Sequence, residues 1–335
     1  MVNELETALS NFYKNNDINP EQYTDSKKSQ YLTGLECDSK ICKSNLEVVL
    51  NEWLHNFEEK DRAYYLKMFE NFTYLTRRSF EWKVYCLKEY IFDLLSQYSK
   101  DKIMIILSES QNGYKSGASE MSSALWSACE GEIRKSQIRE IYSKADIEEL
   151  INMDAIIFAD DIVATGFSLK ETIEKFFERF PYKEFTHTKF CATGVLATKR
   201  GKRTIDKLCK SGIAVQWIYN ENYLVQAFKG DYIFAGSEKA QIEDVVLRYE
   251  EKIGKDDDGK NYVMGFEACK LLVAFHYETP NNTLCTFWRY GEQHVPLFER
   301  NSNQKLSLQE IIDRKKAMTN NAYKIKSLEK KDGSI

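Results

Sequence analysis

Two adjacent carboxylates, Asp160 and Asp161, followed at once by small and hydroxylated residues, form the densest chemistry in this chain. Ahead of them Ile156-Ile157-Phe158-Ala159 is an apolar run of the kind that makes a buried strand. Behind them come Ile162-Val163 and then Ala164-Thr165-Gly166-Phe167-Ser168, which lead into a helical pattern near Leu169. In an open α/β sheet the ligand crevice lies at the carboxyl ends of the strands. A short loop that opens a helix there presents backbone amides and the helix N-terminus to an anion. Thr165 and Ser168 add hydroxyl donors, and Gly166 lets a phosphate approach the backbone. Asp160 and Asp161 can accept hydrogen bonds from vicinal hydroxyls. A phosphate cradle beside a diol clamp matches a ribose 5-phosphate. A plain strand ending in two acids before an N-capped helix shares some of these features, but the full order from Ile156 to Ser168 is much more specific.

The other chemistry-bearing groups are weaker. The stretch from Ser108 to Gly117 is a Gly/Ser-rich loop after an apolar run; a Walker A reading fails because Tyr114 separates Gly113 from Lys115. Lys199-Arg200-Gly201-Lys202-Arg203 can steer a phosphorylated ligand, although a solvated loop is the favoured reading. Asp256-Asp257-Asp258 lacks the alternating acids and final Glu of a calcium loop. The four His residues pair at no metal or triad spacing, and His276, inside an apolar run, reads as a satisfied core residue. The 8 Cys are scattered, so reduced thiols are expected rather than a zinc site. No metal is expected beyond magnesium carried in with a substrate.

These residues need a scaffold. Residues 1–44 are polar and weakly periodic and read as a leading arm, ordered only where it docks. Residues 45–100 read as a cap of two to three helices, with apolar stripes through Leu46, Leu50 and Trp53, through Tyr65, Met68 and Phe69, and through Phe80, Val84, Leu87 and Ile91. Between 101 and 220, strands expected at 103–107, 138–142, 155–159, 189–197 and 213–219 alternate with helices through Ala124–Cys129 and over 169–180 and 204–209. That alternation predicts an α/β fold with a doubly wound, mostly parallel sheet. Residues 221–300 break it and form a C-terminal α/β extension, or hood, with a helix over 238–252 and an apolar segment at 271–276. Residues 301–335 are a basic polar tail with a helix expected over 306–318. The net charge of −4 argues against a general polyanion binder, and no leader peptide or membrane span is visible, so a cytoplasmic protein is expected.

The stretch Ile156 to Ser168 resembles the signature of type I phosphoribosyltransferases, which use phosphoribosyl pyrophosphate (PRPP). The resemblance implies that Asp160 and Asp161 hold the ribose hydroxyls at the catalytic centre and that Ala164, Thr165, Gly166, Phe167 and Ser168 hold the 5′-phosphate. It also implies a pyrophosphate loop after an earlier strand, for which Ser108, Glu109, Lys115 and Ser116 are the candidates. Farther on, Leu271-Leu272-Val273-Ala274-Phe275, Thr279-Pro280-Asn281-Asn282-Thr283, Trp288 and Pro296-Leu297-Phe298 with Arg300 resemble the end of the PRTase-CE group. By that resemblance Asn281 and Asn282 would offer amide edges to a base, Trp288 a stacking face and Arg300 an anion contact; a Pro-Asn turn packed by an aromatic fits the same residues about as well. The group occurs in bacterial conflict and anti-phage operons, some beside retron reverse transcriptases. The expected activity is glycosyl transfer or cleavage at the anomeric carbon of magnesium PRPP or a ribose 5-phosphate nucleotide, by a toxic effector. The alternative is a non-catalytic sensor of PRPP or nucleotide that binds a reverse transcriptase with its RNA or DNA. The expected partners are therefore the small ligand and that complex, with a homo-oligomer left open and no membrane.

Overall fold

The computed structural model describes residues 2–25, 35–108, 117–140, 147–218, 224, 226–255 and 259–300. The chain opens with helix α1 (Val2–Asn15), whose Leu5, Ala8, Leu9 and Phe12 are buried at helical spacing. The leading segment therefore docks, and Phe12 stacks on Phe69 with ring centroids 4.5 Å apart. Two short strands follow, β1 (Tyr23–Thr24) and β2 (Glu36–Cys37), paired in parallel. Helices α2 (Lys43–Leu54) and α3 (Arg62–Glu70) bury the expected stripes, including Trp53 and Phe69. Strand β3 (Thr73–Leu75) then leads into α4 (Arg77–Leu94), which is capped by Thr76: its hydroxyl accepts from Ser79 N–H at 3.1 Å.

Five parallel strands make the central sheet: β4 (Ile103–Leu107), β5 (Ile138–Glu140), β6 (Ala155–Val163), β7 (Lys189–Ala197) and β8 (Val215–Trp217), in the order β5-β4-β6-β7-β8. The connecting helices are α5 (Gly117–Ala128), α6 (Ile147–Ile151), α7 (Phe167–Arg179) and α8 (Lys199–Asp206). Ile105, Leu107, Ile157 and Ala159 pack toward α4 and α5, and Met104, Ile106, Ile156 and Phe158 toward α7 and α8. Helices thus cover both faces, and the expected doubly wound α/β architecture is present.

Some boundaries differ from the sequence reading. β6 does not end at Ala159 but carries the acid pair inside its ladder as far as Val163. The helix expected from Thr204 starts at Lys199, because Thr198 caps it by accepting from Gly201 N–H at 2.9 Å; the basic run is therefore helical rather than a loop. Tyr142, the triple-Asp run and the tail with its expected helix lie outside the described residues.

The segments expected as a helical cap and a C-terminal extension share one core. Helix α9 (Glu238–Ile253) and the residues after it pack against α1, α2 and α3. Trp53 Nε1–H donates to Thr286 O at 2.8 Å, and Asn56 exchanges two hydrogen bonds with the backbone of Val295. Strand β9 (Val273–Phe275) pairs in parallel with β3, and its end meets α4 through the edge-to-face contact of Phe275 with Phe80. Among the described residues no helix is long and apolar enough to cross a membrane.

Candidate functional site

From β4 the chain runs to the edge strand β5 and returns to β6 on the other side of β4. In open α/β sheets a reversal of this kind is where ligands bind, here at the carboxyl ends of β4 and β6. Ser108 follows β4 directly, and its N–H donates to Ala159 O at 3.0 Å, which sets it beside Asp160. On β6 the two-residue alternation breaks at the acids. Ile162 joins the layer of Ile157, and Val163 that of Ile156. Asp161 N–H donates to Asp160 Oδ1 at 3.0 Å, and Ile162 N–H donates to Asp161 Oδ1 at 2.8 Å. Each carboxylate is thus held by the next amide and keeps its other oxygen for a different partner. Burial, and then the Asp161 carboxylate, push the Asp160 carboxyl well above the usual range, while Ser108 beside it eases ionisation. The Ser108 hydroxyl is itself buried beside the Asp160 carboxyl.

The loop after β6 is fixed from behind by α8 and the cap before it. Val163 O accepts from Thr198 N–H at 3.1 Å, Ala164 O from the Thr198 hydroxyl at 2.5 Å, and Thr165 O from the Thr204 hydroxyl at 2.7 Å. In a trans peptide the C=O and the following N–H point in opposite directions. Three tied carbonyls therefore turn the amides of Ala164, Thr165 and Gly166 away from α8. The Thr165 and Gly166 amides have no backbone acceptor among the described residues. Gly166 has φ 78° and caps α7 in the left-handed region, where glycine is unstrained. Gly201 is needed because a Cβ there would lie 2.0 Å from Val163 O. Phe167 and Ser168 begin α7 and are exposed, so the helix N-terminus is open to an anion.

Asp160 and Asp161 lie beside the 164–168 loop, with Ser108 next to Asp160. Glu109, Lys115 and Ser116 lie outside the described residues. Of the residues expected to meet a base or acceptor, Trp288 and Arg300 have their side chains engaged in structure, and the Asn282 side chain donates to Phe266 O at 3.4 Å. Trp288 offers no open stacking face: it is 3 % exposed, with Nε1–H bound to Thr283 O at 2.9 Å. The backbone carbonyls of Asn281 and Asn282 accept from Phe266 and Leu271 N–H. Arg300 donates to Thr279 O at 3.1 Å and pairs with Glu278 at 3.0 Å. In the basic run, Arg200 binds Glu267 and Lys202 binds Asp206. His276 is not the satisfied core residue expected: among the described residues its Nδ1 has no hydrogen-bond partner, and burial, Arg77 and Lys40 bring its pKa down to about 4.

The sequence reading missed three neighbours of the acid pair. Tyr277 donates its hydroxyl to Asp161 Oδ2 at 2.5 Å. Glu278 lies close enough for Asp161 to raise it, in addition to the larger effect of burial. Gly117, at the start of α5, is so close that a Cβ would fall 1.8 Å from Asp161 Oδ2. Tyr277 and Glu278 directly follow the apolar 271–276 segment, and nothing local ties them to a motif 116 residues earlier. Gly117 was legible only as a loop glycine.

Among the described residues no three His, Cys, Asp or Glu side chains converge on a metal site. The two adjacent carboxylates fit a magnesium ion that keeps waters and substrate phosphates as its other ligands. A family model described as PRTase-CE matches residues 50–300. No curated protein and no solved structure matches the chain.

Proposed function

Because the chain belongs to the PRTase-CE family and carries a phosphoribosyltransferase-like domain, we propose that it binds PRPP or a ribose 5-phosphate nucleotide at the carboxyl ends of β4 and β6 and acts at the anomeric carbon. The observation that carries this reading is the set of three tied carbonyls after Asp160-Asp161, which frees consecutive amides for a phosphate beside two carboxylates. The 5′-phosphate sits on the 164–168 loop and the α7 N-terminus. The ribose hydroxyls donate to Asp160 and Asp161. Ser108, whose hydroxyl lies beside the Asp160 carboxyl, binds pyrophosphate together with Lys115 and Ser116 and in the presence of Glu109.

In the reaction the bond from the anomeric carbon to a pyrophosphate oxygen breaks, and its electron pair leaves with pyrophosphate. A nucleophile's lone pair forms the new bond and its proton is released. Positive charge develops on the sugar in between, and the fixed carboxylates stabilise it. Asp160 and Asp161 would hold magnesium brought in with the pyrophosphate, and the ion would supply charge neutralisation for the leaving group. In the cell such an activity would make the chain a toxic effector of an anti-phage system that depletes or alters a nucleotide pool, acting with a retron reverse transcriptase and its nucleic acid. The support for that setting is the family.

Calorimetric titration with magnesium PRPP tests the site. Saturable binding is expected in the wild type and loss of binding in the Asp160→Asn, Asp161→Asn double variant, with the fold retained. No binding by the folded wild type overturns the reading. Binding with no pyrophosphate released, in the presence of the partner complex, would favour a sensor over an enzyme.

A further inference from the structure

We propose that Tyr277, from the segment after β9, is a positioning residue for the ribose-binding carboxylate of Asp161; this rests on the proposed ribose-phosphate site. Asp161 is held on three sides. Ile162 N–H fixes Oδ1 at 2.8 Å, the Tyr277 hydroxyl fixes Oδ2 at 2.5 Å, and Gly117 leaves no space for even a methyl group beside Oδ2. Each carboxylate oxygen accepts along two lone-pair directions, so Oδ1, which accepts from Ile162 N–H, has a second direction for a ribose hydroxyl while Tyr277 and Gly117 hold Oδ2 and keep the side chain from rotating.

A tyrosine on a mobile segment would compete with the ligand for that carboxylate, whereas one on a rigid segment orients it. Tyr277 is rigidly held. Its ring stacks on Phe275 with centroids 5.0 Å apart and meets Phe80 edge-on at 5.5 Å. The preceding residue, His276, donates its N–H to Leu75 O at 2.8 Å, which extends the β3–β9 pairing up to the tyrosine. The phenol stays a donor, because burial and then the Asp161 charge push its ionisation well above the usual range. The C-terminal segment thus completes the site from outside the five-stranded sheet, and orientation of a binding group is a large part of what such sites supply.

The test is the affinity for magnesium PRPP of the wild type, Tyr277→Phe, Asp161→Ala and the double variant, with thermal melts to show folding. Removing one hydrogen bond to a charged group should weaken binding by about tenfold or more in Tyr277→Phe. In the Asp161→Ala background the same change should have no further effect, which a general structural role would not produce. Gly117→Ala, which displaces the same carboxylate from the other side, should mimic Tyr277→Phe. If Asp161→Ala abolishes binding while Tyr277→Phe binds as tightly as the wild type or more tightly, or if the two losses simply add, the positioning role is wrong and the ribose-phosphate site stands. Absence of binding by the wild type overturns the site itself, and this inference with it.

Discussion

Burial, and then the neighbouring Asp161 carboxylate, raise the Asp160 carboxyl, so the folded chain holds that proton more tightly than the unfolded chain does. Between the ordinary carboxylate value and the raised one, the native state binds more protons, and the stability contributed by this group is lost as pH rises through the window. A ribose hydroxyl, by contrast, is accepted more strongly by the ionised form. Two measurements on Asp160→Asn should therefore move in opposite directions. Its melting temperature at neutral pH should equal or exceed that of the wild type. Its affinity for magnesium PRPP should be low and should lack the tightening with rising pH expected of the wild type. A variant that melts much lower would assign Asp160 a structural role. The acid pair was legible in the sequence because strand, acids and loop are contiguous. Tyr277 was not, because only the β3–β9 pairing brings it to Asp161.

At the level of elements, the 164–168 loop depends on the packing of α8 more than on its charges. Lys202 forms an i,i+4 pair with Asp206 at the surface, and such pairs contribute about 0.3–0.5 kcal/mol. Gly201 in the same helix lies against Val163 O, where a Cβ has no room. Gly201→Ala should therefore destabilise the fold by about 1–3 kcal/mol through overpacking and should weaken binding of the phosphorylated ligand. Lys202→Ala should be close to neutral in both respects. Equal effects of the two substitutions on affinity would return the basic run to a steering role. The sequence displayed the four cations of this run but not the Thr198 cap, which makes it a helix and turns Gly201 and Thr204 toward the loop.

For the whole molecule, the central sheet is not independent of what precedes and follows it. One face is covered by α4 together with Leu271, Val273 and Phe275 from the C-terminal segment. The second core joins α1, α2 and α3 to residues more than two hundred positions later, with Trp53 fully buried against Phe287 and bonded to Thr286. Glu250 sits at its centre and accepts from the backbone or side chains of Met264, Cys285 and Thr286. Trp53→Ala should cost about 3–5 kcal/mol in chemical denaturation. A chain cut after residue 220 should lose its cooperative unfolding transition, although it retains every strand of the five-stranded sheet. A sharp transition in that truncated chain would show that the sheet stands alone.

The sequence by itself determined the five parallel strands and the strand, acid pair and loop order of the Ile156–Ser168 stretch, because apolar runs, acids and small residues act through near neighbours. It could not show that the opening helix docks, since four apolar positions in a polar segment gain their burial from α2, α3, Tyr74 and the C-terminal residues. Nor could it separate a working from a packed aromatic: Trp288 is enclosed, while Tyr277 reaches the acid pair. Those outcomes follow from contacts between residues far apart in sequence, and only the tertiary structure sets them.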